Sequence, residues 1–255
     1  MSLPTWTPDA LASEARAYIG DGWRLVEAQH LVSTQKLVDT ADEQTLLEEI
    51  LEDTKPPVPP ECRHVHYLLF TPFRYGPYPH GSRFRRAGRT AGVFYAAEAV
   101  ETAVAEMAFY RLLFFAESPG TPWPANAATY AAFAVALETT RALDLTAPPL
   151  NRDRAIWTHP TDHGPCQTLA EAARAANIAL LKADSVRDPE RGATLAALSC
   201  AVFARPDPIG WQTWYLRPGP AGVQAVCEWP SQRLTFGRDA FAADPRVIGM
   251  VWARS

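Results

Sequence analysis

Five arginines crowd the segment 71–90: Arg74, Arg83, Arg85, Arg86 and Arg89. Planar guanidinium forks hold phosphate oxygens in pairs, so such a cluster in an otherwise acidic chain suggests a polyphosphate ligand. A short apolar strand is expected next, over Val93–Ala97, and then a helix over Glu98–Phe114. Glu106 stands early in that helix and faces its apolar stripe of Val100, Ala103, Val104, Met107 and Leu112. Most helical glutamates are solvated. A carboxylate turned inward beside phosphate-binding arginines instead suggests chemistry on something the phosphates position. Of the five arginines, Arg85, Arg86 and Arg89 read mainly as surface charges.

The elements that must carry these residues divide near Pro56–Pro60. Before that point three helices are expected: 8–19 ending at Gly20, 24–38, and EQTLLEEILED capped by Thr40 or Asp42. Leu46, Leu47, Ile50 and Leu51 form the stripe of the third. KPPVPPE then acts as a stiff spacer. Residues 1–61 are thus expected to form an N-terminal helical extension, and 62–255 the main domain. Within it, strands are expected at Val65–Phe70, Ala128–Leu137, Ala142–Thr146, Ile178–Lys182, Leu198–Phe203, Trp211–Leu216 and Val223–Trp229. A further helix is expected over Cys166–Ala176, after the His163-Gly164-Pro165 turn. Scattered strands with inserted helices indicate an α+β fold and not a regular βαβ series.

Composition narrows the function classes. The chain has 255 residues, an apolar fraction of 47% and a net charge of −4, which argues against nonspecific nucleic-acid binding. No signal peptide is visible at the N-terminus and no apolar run is long enough to span a bilayer, so a cytoplasmic protein with no membrane contact is expected. Cys62, Cys166, Cys200 and Cys227 are widely spaced and read as free thiols in a reducing compartment. No metal is expected: His64 and His66 share one face of an expected strand and His159 and His163 flank a loop, too few ligands in either place. Neither a phosphate-binding P-loop nor a dinucleotide-binding glycine motif occurs.

In order along the chain, Arg74-Tyr75, Gly81-Ser82-Arg83-Phe84, Phe94-Tyr95-Ala96-Ala97, Glu101-Thr102-Ala103, Ala105-Glu106 and Asp184-Ser185-Val186-Arg187-Asp188-Pro189 resemble the RES domain, named for an arginine, a glutamate and a serine. A weaker marker is Cys166-Gln167-Thr168-Leu169-Ala170. The resemblance spans about residues 65–230. It departs from the common pattern where Ser82 separates Gly81 from Arg83 and where Arg85 replaces a frequent asparagine. His80 also sits in this loop and reads as a plain loop histidine.

The resemblance implies an ADP-ribosyltransferase-like core of short, mixed β-sheets. It also implies a bacterial type II toxin that binds NAD+ and cleaves its nicotinamide–ribose bond, by hydrolysis or phosphorolysis. The alternative within the family is ADP-ribosylation of a metabolic enzyme such as phosphoribosyl pyrophosphate synthetase. An Xre-type antitoxin is the implied partner, and a homodimer is compatible with the sequence. Cleavage of this bond builds positive charge on the ribose, and nicotinamide leaves without needing a proton. A carboxylate is therefore required at the ribose. Glu106 is the candidate, with Arg74 and Arg83 on the pyrophosphate, Tyr95 stacked on nicotinamide, and Ser185 positioning the ribose or amide. Tyr75 either helps bind NAD+ or merely packs. Arg187 either supports Ser185 or pairs with Asp184 or Asp188. The competing class is a noncatalytic nucleotide- or peptide-binding module.

Overall fold

A computed structural model describes residues 6–27, 37–76 and 78–254. Its strands are β1 (Arg16–Glu27), β2 (Phe94–Ala97), β3 (Ala128–Asp144), β4 (Leu180–Asp184), β5 (Ala193–Ala197), β6 (Gly210–Gly219), β7 (Gly222–Cys227) and β8 (Gln232–Gly237). They form one sheet in the order β1-β2-β5-β4-β3-β6-β7-β8. β1 also pairs antiparallel with β3 from Arg16↔Ala142 to Glu27↔Tyr130. The pairings β1–β2–β5–β4–β3–β1 therefore close a circuit, from which β6, β7 and β8 extend as an antiparallel meander.

The helices are α1 (Pro8–Ser13), α2 (Ala41–Asp53), α3 (Tyr67–Arg74), α4 (Val100–Glu117), α5 (Arg154–Trp157), α6 (Gly164–Ala175) and α7 (Pro245–Ile248). α4 is hydrophobic nearly all round and buries Val104, Ala108, Phe109 and Leu112. It packs against a core with Tyr130, Trp214, Val223 and Phe241. A second core joins α1 to α6 through Leu11, Leu169 and Ala173, and a third lies under α3 around Phe94, Phe133 and Phe203.

The expected α+β class is the observed one, but several elements change. The helix read over 8–19 stops at Ser13, and residues 16–27 form a strand of the central sheet. Tyr18, Gly20, Gly22 and Leu25 suit a strand that must lie close to its neighbours. A Cβ on Gly22 would stand 3.1 Å from that of Ala96. The boundary at 61 therefore cuts off a strand that belongs to the main body. Of the helix read over 24–38, residues 28–36 lie outside those described, and 24–27 are strand.

The third expected helix is present as α2, with the full capping box of Thr40 and Glu43. None of its residues is buried, and Leu46 and Ile50 stand exposed. Val65–Phe70 is expected as a strand, but Tyr67–Phe70 form the start of α3, which His66 caps with its ring Nδ1 accepting the Leu68 N–H. Leu198–Phe203 is a short 3-10 turn over Cys200–Val202. The two expected strands at 128–146 are one continuous strand, while β5 and β8 were not anticipated.

Cys62 and Cys200 are joined by a disulfide with a Cα–Cα distance of 5.5 Å, so the free-thiol reading fails for this pair. Cys166 and Cys227 are free and buried. No helix among the described residues is long and apolar enough to cross a membrane.

Candidate active site

The site begins with the loop that follows β4. Ser185 donates its hydroxyl proton to Glu106 Oε1 at 2.6 Å, and its oxygen accepts the backbone N–H groups of Arg187 (3.2 Å) and Asp188 (2.9 Å). Both lone pairs are thus occupied and the proton is directed at Glu106. Asp188 ties the loop together by accepting the N–H groups of Glu190 (3.0 Å) and Gly192 (3.1 Å). Its Oδ2 also accepts the hydroxyl of Thr102 on α4 at 2.7 Å. Any Cβ at Gly192 would fall 2.0 Å from Thr102 Oγ1, so glycine is what lets the loop meet α4 this closely. That contact fixes the distance between Ser185 and Glu106.

Glu106 lines a cavity of about 280 Å³ together with Trp23, Arg24, Arg83, Tyr95, His163 and Arg187, among others, while Ser185 is buried behind it. Burial pushes the Glu106 carboxyl above the ordinary range, while the Ser185 hydrogen bond and the charges of Arg187 and Arg83 pull the other way. Arg83 enters with its guanidinium braced by the carbonyls of Trp157 (2.8 Å) and His159 (3.0 Å). Tyr95 alternates with Phe94 on β2, so Phe94 fills the core and Tyr95 faces the cavity. Its hydroxyl is paired with Ser82 Oγ at 2.8 Å and accepts the Phe84 N–H at 3.0 Å, which holds the ring still. His163 remains a neutral imidazole, because burial and the nearby arginines depress its pKa to about 4.

Two arginines complete the site in ways the sequence reading did not assign. Arg24 of β1 lines the cavity and donates to the Tyr95 carbonyl at 2.8 Å. Burial lowers its pKa to about 10, so it stays cationic at neutral pH. Arg187 has 7% of its side chain exposed and pairs with Asp244, itself 1% exposed, at 2.9 Å. It also donates to the Pro160 carbonyl at 2.6 Å and lies 3.9 Å from the centre of the Phe109 ring. Its carboxylate partner is therefore neither Asp184, which pairs with Arg154, nor Asp188.

The five-arginine cluster is dispersed. Arg74 is turned away from the cavity, with its Nη1 2.5 Å from Glu52 of α2 and its Nε donating to the Pro56 carbonyl. It lines neither the Glu106 cavity nor its neighbour, whereas Arg24 lines both. Arg86 pairs with Glu171 of α6 at 2.8 Å, and Arg89 is exposed. Tyr75 and Arg85 line a second cavity on the other side of Tyr95. The helix expected over 24–38 hides Arg24, which β1 carries into the cavity. The signal that would have found it is the strand-like run Tyr18-Ile19-Gly20-Asp21-Gly22-Trp23 before it.

The geometry is therefore a carboxylate–serine pair ringed by Arg24, Arg83 and Arg187. The family model described as RES domain matches residues 58–217. The chain belongs to the RES-domain family. Its Glu106 and Ser185 both lie inside the matched region of this RES chain, whereas Arg24 and Asp244 lie outside it. Among solved structures it is similar to a chain of the M. tuberculosis MbcT–MbcA toxin–antitoxin complex. The identity is 14% and the TM-score 0.44, covering 77% of this chain and 85% of that one. No curated protein matches it.

Proposed function

We propose that this RES protein is the toxin of a toxin–antitoxin pair, and that it binds NAD+ and cleaves the nicotinamide–ribose bond. The observation that carries the proposal is Glu106, held by a 2.6 Å bond from Ser185, in the wall of a cavity that Arg24, Arg83 and Arg187 also line. A phosphate-binding module has no use for a buried carboxylate beside its arginines. A glycosidic cleavage needs one.

In this reading Arg24 and Arg83 hold the phosphates and so fix the ribose. Tyr95 offers a flat face to the nicotinamide ring. The C1′–N bond breaks with its electron pair leaving on nicotinamide, which departs neutral. Glu106, as carboxylate, stabilises the positive charge that develops on the ribose. Ser185 does not act as nucleophile, since its oxygen is taken by two N–H donors; it orients Glu106 instead. Attack on C1′ by water, with loss of a proton, yields ADP-ribose. Inorganic phosphate in the same place yields the ADP-ribose 1″-phosphate. Inhibition by an Xre-type antitoxin that covers the 74–89 loop belongs to the same proposal.

The test is nicotinamide release from NAD+ by the purified protein, with and without phosphate, followed by chromatography. Multiple turnover is expected, reduced at least roughly a hundredfold in Glu106→Gln, the scale of losing one group that stabilises transition-state charge. Undiminished release in that variant would refute the role of Glu106. No release from the wild type, but transfer of label from NAD+ to a protein in cell extract, would make it a protein ADP-ribosyltransferase.

A further inference from the structure

The second cavity measures about 640 Å³ and is lined by Tyr67, Tyr75, Tyr78, His80 and Arg85. Arg24, Ser82 and Tyr95 line both cavities, so the hydrogen-bonded Tyr95–Ser82 pair is a shared wall with an arginine set in it. The chemistry proposed above uses only the first. At about 280 Å³ that space lies just under the usual range for ligand pockets, and a whole dinucleotide would not be enclosed in it.

We infer that the second cavity receives the adenine half of the dinucleotide, with Arg24 at the pyrophosphate between the two halves. The inference rests on the NAD+ reading of the first cavity. Its support is the match between two layouts. The ligand is a flat base, a doubly charged centre and a second flat base. The protein offers a cavity walled by Tyr95, a cation at the junction, and a cavity rich in aromatic rings.

The aromatic surface is braced from below. The Tyr78 and His80 rings meet edge to face at 5.7 Å, and the Arg85 guanidinium lies 5.3 Å from the centre of the Tyr78 ring. Arg85 also donates to the carbonyls of Tyr75 (3.0 Å) and Gly76 (2.5 Å). Gly88 N–H donates to the Tyr78 carbonyl at 2.8 Å. Tyr67, at the start of α3, packs at 4.5 Å against His66. Tyr67 and Tyr78 are 47% and 45% exposed, so much of each ring is open to a ligand. A heteroaromatic base recognises such a surface by stacking, and losing one stacking ring typically weakens binding by roughly tenfold.

The experiment is calorimetric titration of AMP into the wild type, Tyr67→Ala, Tyr78→Ala, Tyr78→Phe and Glu106→Gln, with nicotinamide release from NAD+ measured on the wild type in parallel. AMP affinity is expected to fall roughly tenfold in each alanine variant and to survive in Tyr78→Phe and Glu106→Gln. Retention in the phenylalanine variant separates lost stacking from a damaged loop. An AMP affinity untouched by the tyrosine substitutions, or lost in Glu106→Gln, would overturn the inference, as would no AMP binding at all. The expected AMP pattern with no nicotinamide release would refute the NAD+ chemistry and leave the cavity as an adenine-nucleotide site.

Discussion

Ser185 has one proton and two lone pairs, and all three are engaged. That fixes one side of Glu106: its Oε1 accepts the Ser185 proton. The same enclosure has a thermodynamic consequence. The folded state raises the Glu106 pKa above its unfolded value, chiefly by burial. The folded protein therefore binds the proton more tightly. The stability tied to that proton is fully present below about pH 4, the unfolded value, and is lost as pH rises through the folded value. Glu106→Gln has no such loss. Its thermal midpoint should exceed that of the wild type at pH 8, and the gap should close below about pH 4. Thermal scans across pH check this; a midpoint for Glu106→Gln at or below wild type at pH 8 would refute it. At this scale the candidates Glu106, Arg83 and Tyr95, each in a local motif, come to line one cavity, and Ser185 bonds to Glu106. It misled for Arg74, whose partner Glu52 comes from a helix on the far side of a proline spacer.

At the scale of elements, α4 and the Ser185–Gly192 loop are registered by Thr102, Asp188 and Gly192. The segment before α7 adds Asp244, which holds Arg187 against Phe109 and the cavity. Removing Asp244 leaves a buried guanidinium without its counter-ion. Asp244→Ala should lose about 3 kcal/mol of stability, read as a lower urea midpoint with an unchanged slope. The Cys62–Cys200 disulfide ties the approach to α3 to the turn after β5. Cys62→Ser should cost about 2–4 kcal/mol under non-reducing conditions and make little difference once reductant is present. Equal midpoints under non-reducing conditions would show that the bond does not form.

Sequence reading succeeded for elements whose signal is local. The capping box marks α2, a long apolar run free of Gly and Pro marks α4, and the Gly164-Pro165 start marks α6. It failed for α3, where a short apolar run fits either a buried helix or a strand. It also missed the pairing of Cys62 with Cys200, which are 138 residues apart.

At the scale of the molecule, β1 is the piece that closes the strand circuit and delivers Arg24 and Trp23 to the site. The family match begins only at residue 58, so the matched region by itself lacks this strand. Deleting residues 1–27 should leave β3 with an unpaired edge and remove Leu25 from the core. The truncated chain should show no cooperative thermal transition and no affinity for NAD+. A sharp transition near the wild-type midpoint would show that the body folds without β1.

The sequence by itself determined the α+β class, the family pattern, and Glu106 and Ser185 as separate candidates, because these depend on residue type and local motif; their hydrogen bond joins two distant elements and is tertiary. Only the tertiary structure decided which arginines surround that pair. Arg24, Arg83 and Arg187 come from β1, from the loop before β2 and from the loop after β4, and reach one cavity through strand pairing between distant segments. Such convergence leaves no periodicity in the chain, since what sets it is the register of the sheet and the burial of Asp244, Thr102 and Asp188 around it.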